Sequence, residues 1–248
     1  MKIINERLYD MHTHTYFAYC ADSDMKPEAV YEEARKQGVE GLAITEHAGQ
    51  LYVSADDFWS AHFIENPDLI RDRRRNRMEE YKKAVLPLRS KTIKVGLEVD
   101  LDRDGNMTLL EQDKTGWDVI IGAIHWIPSE FQNDLIKGYL WSLDAFSRHN
   151  IDILAHPFRI FCRKGISTPK ELYTPAVAFL KDNNVAAELN FHTNVPDPAF
   201  FKMCIQEGVK ISLGSDAHSL CKAGRLAGHL EFLLNLCQGV DIENILYT

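Results

Sequence analysis

The stretch YDMHTHT at residues 9–15 decides how the rest of the chain is interpreted. It contains two histidines, His12 and His14, that are separated by one residue. Alternate residues of a β-strand point to the same side, so a strand through this stretch directs both imidazoles to one place. Two imidazoles held in this way are a common pair of metal ligands. The stretch therefore predicts a strand whose end binds a metal ion.

Six further apolar runs follow, and longer stretches with helical spacing separate them. This alternation predicts βα units around a parallel sheet, and therefore an α/β protein. The side chains at the carboxyl ends of such strands meet on one face, where α/β barrels place their active sites. The seven predicted strands lie near residues 7–12, 41–45, 92–98, 118–124, 151–155, 185–189 and 210–213.

The connections between the strands indicate how the domain is organised. A helix is predicted from Pro27, a favoured first residue of helices, to Gly38. Residues 48–91 are too many for a simple connection, so we expect an insertion with its own helices and loops over the barrel mouth. The chain shows neither an internal repeat nor a linker, which favours a single domain over residues 1–248.

The bulk composition excludes several classes of protein. Hydrophobic residues make up 45% and charged residues 26%, as in folded globular proteins. The formal net charge of −8 disfavours non-specific binding to nucleic acid or anionic lipid, so any phosphate site must be local. Five cysteines without a CxxC pair indicate reduced thiols. We find neither a signal peptide nor an apolar run of about 18 residues, so we expect a cytoplasmic protein without a membrane partner.

Each predicted strand end carries a side chain that can bind a metal. One such residue is weak evidence, but six of the ten histidines of the chain fall at these independently predicted positions. Together they predict a metal site at the open end of the barrel. In chain order the residues are His12 and His14, Glu46 and His47, Glu98, His125, His156, Glu188 and Asn190, and Asp216 and His218.

Seven motifs contain these residues and span nearly the whole chain. They are YDMHTHT, AITEHA, VGLEVD, GAIHW, LAHPF, AELN and GSDAH. In order and spacing they resemble the PHP (polymerase and histidinol phosphatase) superfamily, and within it the histidinol-phosphate phosphatase branch. The resemblance implies a distorted seven-stranded (βα)7 barrel of the TIM-like, PHP type. It also implies two to three zinc, iron or manganese ions and the hydrolysis of a small phosphate monoester, with L-histidinol phosphate as the suggested substrate.

The resemblance further implies three groups of metal ligands, two of which share Glu98 as a bridge. They are His12, His14, Glu98 and Asp216 for the first ion, Glu98, His125 and His156 for the second, and His47 and His218 for the third.

One position departs from the family pattern. The ligand expected six residues after the second histidine of the HxH pair is a histidine, and here it is Cys20. A loop two residues longer would allow Asp22 to fill the role instead. A thiolate favours zinc, whereas a carboxylate suits manganese or iron better. The third site therefore has two candidate ligands, and its absence is a further alternative.

The chemistry of phosphate esters explains why such residues are needed. A phosphate monoester dianion repels hydroxide, and the departing alkoxide needs its charge stabilised. Two divalent ions lower the pKa of a shared water and clamp the phosphoryl oxygens. We predict catalytic roles for Glu98, which bridges the ions, for Asp216, which orients or deprotonates the nucleophile, and for His218 at the leaving oxygen.

Residues just beyond the strand ends are candidates for binding the phosphate group. Arg159 and Arg163 follow the strand end at His156, and a guanidinium matches phosphate oxygens with its planar fork. The alternative for both is an exposed loop with scattered positive charge. His192 lies close to strand six and is the third candidate, with an ordinary buried or surface histidine as the favoured alternative. We expect a small phosphorylated metabolite as the partner, and the sequence predicts no oligomeric state.

Three other functions use similar residues. A metal-dependent amidohydrolase also has an HxH pair, but that class bridges its ions with a carbamylated lysine, where this chain has Glu98. A PHP-type nuclease, nucleotide phosphatase or proofreading function is disfavoured by the net charge and the lack of a nucleic-acid module. The last alternative is a metal-binding module without catalysis, which Cys20 leaves open.

Overall fold

A computed structural model describes residues 8–72, 74–237 and 241–248. All neighbouring strands are parallel, and they follow one another in chain order in a nearly closed, seven-stranded barrel. The predicted fold class, a distorted (βα)7 barrel, is confirmed. The strands are β1 (Tyr9–Thr13), β2 (Gly41–His47), β3 (Ile93–Val99), β4 (Val119–Gly122), β5 (Ile153–Leu154), β6 (Ala186–Asn190) and β7 (Ile211–Gly214).

Strands β4 and β5 are shorter than predicted, and the start of β1 is not tested. The predicted start at Arg7 lies outside the described residues. Strand β4 lacks one predicted residue at its amino end and two at its carboxyl end, and β5 lacks two and one. At both amino ends an aspartate carboxylate bonds to the neighbouring strand. The Asp118 carboxylate accepts a hydrogen bond from the backbone N–H of Val95, and the Asp152 carboxylate accepts one from Ile120. Sequence periodicity does not distinguish this pairing from a regular ladder.

Ten α-helices connect or flank the strands in the described ranges, together with several short 3₁₀ helices. The helix predicted from Pro27 is present and ends at Lys36, close to the predicted end. The α-helices are α1 (Pro27–Lys36), α2 (Ala48–Tyr52), α3 (Ala55–Trp59), α4 (His62–Glu65), α5 (Met78–Val85), α6 (Leu135–Phe146), α7 (Arg159–Arg163), α8 (Tyr173–Asp182), α9 (Pro198–Gln206) and α10 (Ala227–Leu236). None of the described helices combines the length and the apolarity that a membrane crossing requires.

The barrel closes where β1 meets the segment that follows β7. The backbone N–H of Asp216 donates to the carbonyl oxygen of His12 at 2.8 Å, and the N–H of His14 donates to that of Ala217 at 3.2 Å. Both hydrogen bonds lie at the carboxyl end of the barrel. Closure therefore brings the HxH pair of the first strand against the carboxylate that follows the last one.

A β-bulge in β1 sets the direction of the first of these histidines. Between Asp10 and Thr13, β1 has one residue more than the facing part of β2. An extra residue of this kind redirects the side chains that follow it. As a result, two consecutive side chains lie inside the barrel. Met11 packs in an apolar cluster there, and His12 reaches Glu188 on β6.

The barrel interior below the candidate site holds few and mostly small side chains. Half of the eight members of its buried cluster are alanines, which suits a barrel of seven strands because its lumen is narrow. The larger apolar core lies between the strands and the surrounding helices. The interior cluster consists of Met11, Ala43, Val119, Ile121, Ala123, Ile153, Ala155 and Ala186.

Residues 48–91 contain helices α2 to α5, and that they form an insertion over the barrel mouth stays a prediction. Helix α2 begins directly after the end of β2 at His47. Helix α5 is fixed to the sheet by Tyr81, whose fully buried hydroxyl donates to the carbonyl oxygen of Gly96 at 2.9 Å. Phe58 and Trp59 of α3 line a cavity at the candidate site. That these residues belong to one domain with the barrel stays a prediction.

Strand β3 passes so close to β4 that it requires glycine at position 96. A Cβ there would overlap the carbonyl oxygen of Val119, which is backbone and cannot move aside. We therefore expect Gly96→Ala to lower the free energy of unfolding by about 2–4 kcal/mol. Urea denaturation measures the change.

Gly228 is the matched control. It lies in α10, and a Cβ there meets nothing within 4 Å. Gly228→Ala should raise the stability by about 0.5–1 kcal/mol, because alanine is the better helix former. Equal stabilities for wild type and Gly96→Ala would contradict the close approach of the two strands.

Candidate metal centre

The structure brings the predicted strand-end residues together at the carboxyl end of the barrel. All are buried except His218, which is partly exposed. Three groups of donor atoms lie close enough to hold an ion, with every atom of a group within 4.8 Å of the others. The groups are His12, His14 and Asp216; His47, Glu98 and His125; and His14, His47 and His218.

The HxH pair has the geometry of two ligands of one ion. Nε2 of His12 and Nε2 of His14 are 3.2 Å apart. Two nitrogens about 2.1 Å from a tetrahedral ion lie about 3.4 Å apart, so a cation fits between them. Oδ1 of Asp216 lies 3.0 Å from Nε2 of His14 and 3.8 Å from Nε2 of His12. An oxygen and two nitrogens thus face a common point.

Glu98 is the carboxylate on which imidazoles from other strands converge. Its Oε1 lies 3.1 Å from Nε2 of His156 and 3.4 Å from Nε2 of His125. Its Oε2 lies 2.6 Å from Nδ1 of His47 without hydrogen-bonding geometry, and both atoms are buried with no hydrogen-bond partner among the described residues. Buried polar atoms are rarely left without a hydrogen-bond partner, and a bound cation would contact both Oε2 of Glu98 and Nδ1 of His47.

The charges around Glu98 keep it ionised. Burial alone would raise the pKa of this carboxyl, but the charges of His12, His125 and His47 outweigh burial and hold the pKa well below its usual range. For His156, burial and the neighbouring Arg159 lower the pKa to about 3. His156 is therefore a neutral imidazole at physiological pH, which is the form that binds metal.

Three carboxylates hold the outer nitrogens of the imidazoles. Nδ1 of His12 donates to Glu188 at 2.7 Å, and Nδ1 of His14 donates to Glu46 at 3.2 Å. A carboxylate accepts these bonds, so the Nδ1 atoms carry protons. In the neutral, metal-binding form of each ring the lone pair is then on Nε2, which faces the centre. His125 is held in the same way by Asp100, at 3.1 Å. Such outer carboxylates orient metal ligands and increase their basicity.

Sequence reasoning treated Glu46 and Glu188 as metal-capable strand ends and missed Asp100. In the structure all three contact the outer nitrogen of a histidine. The signal for Asp100 was available, because it lies two residues after Glu98, where alternate residues share a side. Nothing in the sequence separates a carboxylate that faces an ion from one that supports a histidine, since that depends on distances across the barrel.

Backbone strain is concentrated at the same place. Two of the non-glycine residues with positive φ are His156 (28°) and Asp216 (50°). Such conformations cost about 1–3 kcal/mol each and are found mainly where function requires a side chain at a fixed point. Both residues were predicted as metal ligands from their places in the sequence.

The structure brings Cys20, rather than Asp22, to the candidate site. Cys20 lines the same cavity as His47 and His218, whereas Asp22 is exposed. Burial raises the pKa of the Cys20 thiol, but hydrogen bonds with His218 and His47 outweigh this and lower the pKa to about 5. Cys20 is thus a thiolate at neutral pH. In the described part of the chain, the three donor groups do not include Cys20.

The candidates for phosphate binding surround one cavity of about 310 Å³ at the mouth of the centre. Arg159, Arg163 and His192 all line it. His192 stacks on His218 with 4.8 Å between ring centres. Arg163 is exposed at the rim, so of the two arginines it is the more accessible from solvent.

Arg159 has a second contact that sequence reasoning did not predict. Its guanidinium donates to the carboxylate of Asp216 and, at 3.0 Å, to the side-chain oxygen of Asn190. Burial opposes ionisation of Asp216, but the charges of Arg159 and His12 hold its pKa well below the usual range. Arg159 thus fixes one oxygen of Asp216 and leaves the other facing the HxH pair.

Comparisons with known proteins agree with this geometry. A family model described as the PHP domain matches residues 10–192, more than half of the chain. A probable phosphatase of Thermoanaerobacter is 25% identical over 96% of this chain and 89% of its own length, and one of Clostridium novyi is 25% identical over 84% and 78%. A solved structure from Listeria monocytogenes, named a "putative histidinol phosphatase", superposes with a TM-score of 0.61 at 16% identity, covering 90% of this chain and 99% of that one.

The contact between Glu188 and His12 generates a test. Glu188→Gln keeps the size of the side chain but removes the charge that supports the imidazole. We expect the affinity for divalent ions to fall about 10- to 100-fold. Titration of the metal-free protein with Zn²⁺ in the presence of a coloured chelator measures it. Glu207→Gln, at an exposed glutamate paired with Lys181, is the control and should bind as wild type does. An unchanged affinity in Glu188→Gln would refute the supporting role.

The thiolate character of Cys20 generates a second test. The labelling rate of Cys20 by iodoacetamide in the metal-free protein should reach half its maximum near pH 5, against about 8.5 for an ordinary thiol. His218→Ala removes a donor and should move this midpoint upward, whereas His62→Ala, at an exposed histidine, should not. Mass spectrometry of the Cys20 peptide gives the rate. A midpoint near 8.5 in the wild type would contradict the contacts described.

Proposed function

The chain belongs to the PHP domain family, and from this premise we propose that it is a metal-dependent phosphatase that hydrolyses small phosphate monoesters. The probable phosphatases of Thermoanaerobacter and Clostridium novyi, which the chain matches over most of their length, support this reaction class. The motifs at the strand ends, in the order of the histidinol-phosphate phosphatase branch, support L-histidinol phosphate as the first substrate to assay.

One observation carries the proposal, namely the convergence of imidazole nitrogens on buried carboxylates. Nε2 atoms from several strand ends face Glu98 and Asp216, while the outer nitrogens of His12, His14 and His125 are held by other carboxylates. A protein core without an ion gains little from this arrangement, because buried charges destabilise a fold unless each is compensated.

The residues present fit two to three divalent ions. His12, His14 and Asp216 would hold the first, and Glu98 with His125 and His156 the second, with Glu98 as the bridge. His47 and His218 would hold a third, with His14 within reach and with Cys20 lining the same cavity. When bound, such ions supply positive charge for the phosphoryl oxygens and lower the pKa of water. A thiolate at Cys20 favours zinc in the third position.

Asp216 and His218 are the groups to which we assign proton transfer. Oδ2 of Asp216 is fixed by Arg159, so Oδ1 is the oxygen available to orient or deprotonate a water molecule at the HxH pair. Nδ1 of His218 lies 2.8 Å from the carbonyl oxygen of Asp216. A carbonyl oxygen only accepts, so Nδ1 of His218 carries a proton, and Nε2 is the atom that would bind an ion or serve the leaving oxygen.

The cavity of about 310 Å³ supports a small substrate. Arg159 and Arg163 line it and offer planar donors to phosphate oxygens, and His192 lies beside His218. This volume is at the lower end of small-molecule sites, which range from about 300 to 1,000 Å³. A phosphoryl group and the first atoms of an alcohol fit there.

The proposal is tested by the release of phosphate. We expect the protein, supplied separately with Mn²⁺, Zn²⁺ and Fe²⁺, to release phosphate from L-histidinol phosphate or another small monoester. Glu98→Gln should lower kcat/KM by about 10³-fold or more, because it removes the bridging charge. Glu207→Gln, far from the centre, is the matched control and should retain full activity.

The other functions give different results in the same assay. Cleavage of a single-stranded oligonucleotide without monoester hydrolysis would indicate a nuclease. Activity on none of the substrates, with tight metal binding intact, would indicate a binding module without catalysis. Either result would contradict the proposed phosphatase, as would full activity in Glu98→Gln.

A further inference from the structure

A second cavity, of about 390 Å³, adjoins the one at the candidate metal centre. His125, Trp126 and Arg163 line both cavities. Nε2 of His125 also lies 3.4 Å from Oε1 of Glu98, at the heart of the centre. The second cavity is therefore a single side chain away from the place where the proposed function puts the ester phosphorus.

The floor of this cavity is apolar and its rim is polar. Exposed Gln132 and Lys164 lie at the rim. An apolar floor with polar groups at the entrance is the usual composition of a small-molecule site. The apolar lining side chains are Ile64 (1% exposed), Ile160 (4% exposed) and the half-buried Trp126, Ile127 and Leu135.

The walls of the cavity are fixed to one another. Oε1 of Glu65, in α4, accepts a hydrogen bond from the backbone N–H of Ser129 at 2.6 Å, and its Oε2 lies 3.7 Å from Nη1 of Arg103. The first contact joins the segment after β2 to the segment after β4, and the second joins it to the segment after β3. A cavity whose walls are joined in advance binds a ligand with a smaller loss of entropy.

We propose that this second cavity binds the alcohol part of the substrate and selects phosphate monoesters whose alcohol carries an apolar ring. The inference rests on the proposed phosphatase function and adds a substrate class to it. A ring against Trp126 buries apolar surface and gains a ring contact. The guanidinium of Arg163, 5.8 Å from the centre of the Trp126 ring, lies between the two cavities, where the phosphate joins the alcohol.

Two non-hydrolysable probes that differ only by a ring test the inference. Ethylphosphonate fills the first cavity alone, and 2-phenylethylphosphonate reaches into the second. Titration calorimetry on the Mn²⁺-loaded wild type should give a Kd for the phenyl compound about 10- to 100-fold lower. Equal Kd values for the two probes would overturn the inference.

Two variants in α6 test whether the second cavity causes the preference for the phenyl compound. Leu135→Asp places a charge on the cavity floor and should reduce the ratio of the two Kd values to near one. Leu140→Asp, on the same helix but exposed and outside the cavity lining, is the matched control and should keep the wild-type ratio. Should Leu135→Asp fail to fold, Gln132→Trp at the exposed rim fills the cavity and should reduce the ratio likewise. Retention of the full ratio in the folded cavity variant would also overturn the inference.

Hydrolysis of the matching esters separates this inference from the proposed function. Equal binding of the probes, with hydrolysis of both ethyl phosphate and 2-phenylethyl phosphate, would refute the alcohol cavity and leave the phosphatase intact. A clear preference in binding without hydrolysis of either ester would support the alcohol cavity and contradict the phosphatase.

Discussion

The need to compensate buried carboxylates is the constraint on which the rest of the structure depends. Glu98 is only 1% exposed, and an isolated anion in such a place would be neutralised rather than tolerated. The imidazoles of His12, His47 and His125 stabilise its charge, and each comes from the end of a different strand. The compensation of the charge on Glu98 thus requires the ends of several strands to lie side by side. The fold and the candidate centre are therefore not independent, since opening the barrel would leave Glu98 buried without positive charge.

The same dependence extends to the backbone. Two hydrogen bonds close the barrel next to the HxH pair, and the bulge in β1 turns His12 inward. The positive φ of His156 and Asp216 is unfavourable in itself. It persists because both side chains are held by several partners, including Arg159 for Asp216. These two backbone conformations lower the local stability, but they hold the donor atoms at fixed points. This is expected where the chemistry of a site, rather than packing, determines which residue is present.

Sequence reasoning predicted the parallel strands and the convergence of their ends, because both depend on periodicity and on alternation along the chain. It did not predict what depends on distances between strands. The carboxylates of Asp118 and Asp152 accept hydrogen bonds from backbone N–H groups of the neighbouring strands, which a hydrophobic pattern does not reveal. The supporting role of Asp100 likewise appears only when its distance to His125 is known. The choice between Cys20 and Asp22 depended on the path of a loop, where no periodicity operates.

The two cavities are formed by different structural elements. The proposed reaction takes place at strand ends, whereas the proposed recognition of the alcohol involves helices and loops. The donors of the candidate centre project from strand ends, whose positions are set by the sheet and tolerate little change. Ile64, Trp126 and Leu135 lie on α4, on the segment after β4 and on α6, outside the strands. Loops and their flanking helices accept substitution and insertion more readily than strands do. The alcohol that such a site recognises can therefore vary among members of this fold while the donor residues at the strand ends stay fixed, so the fold by itself does not specify the substrate.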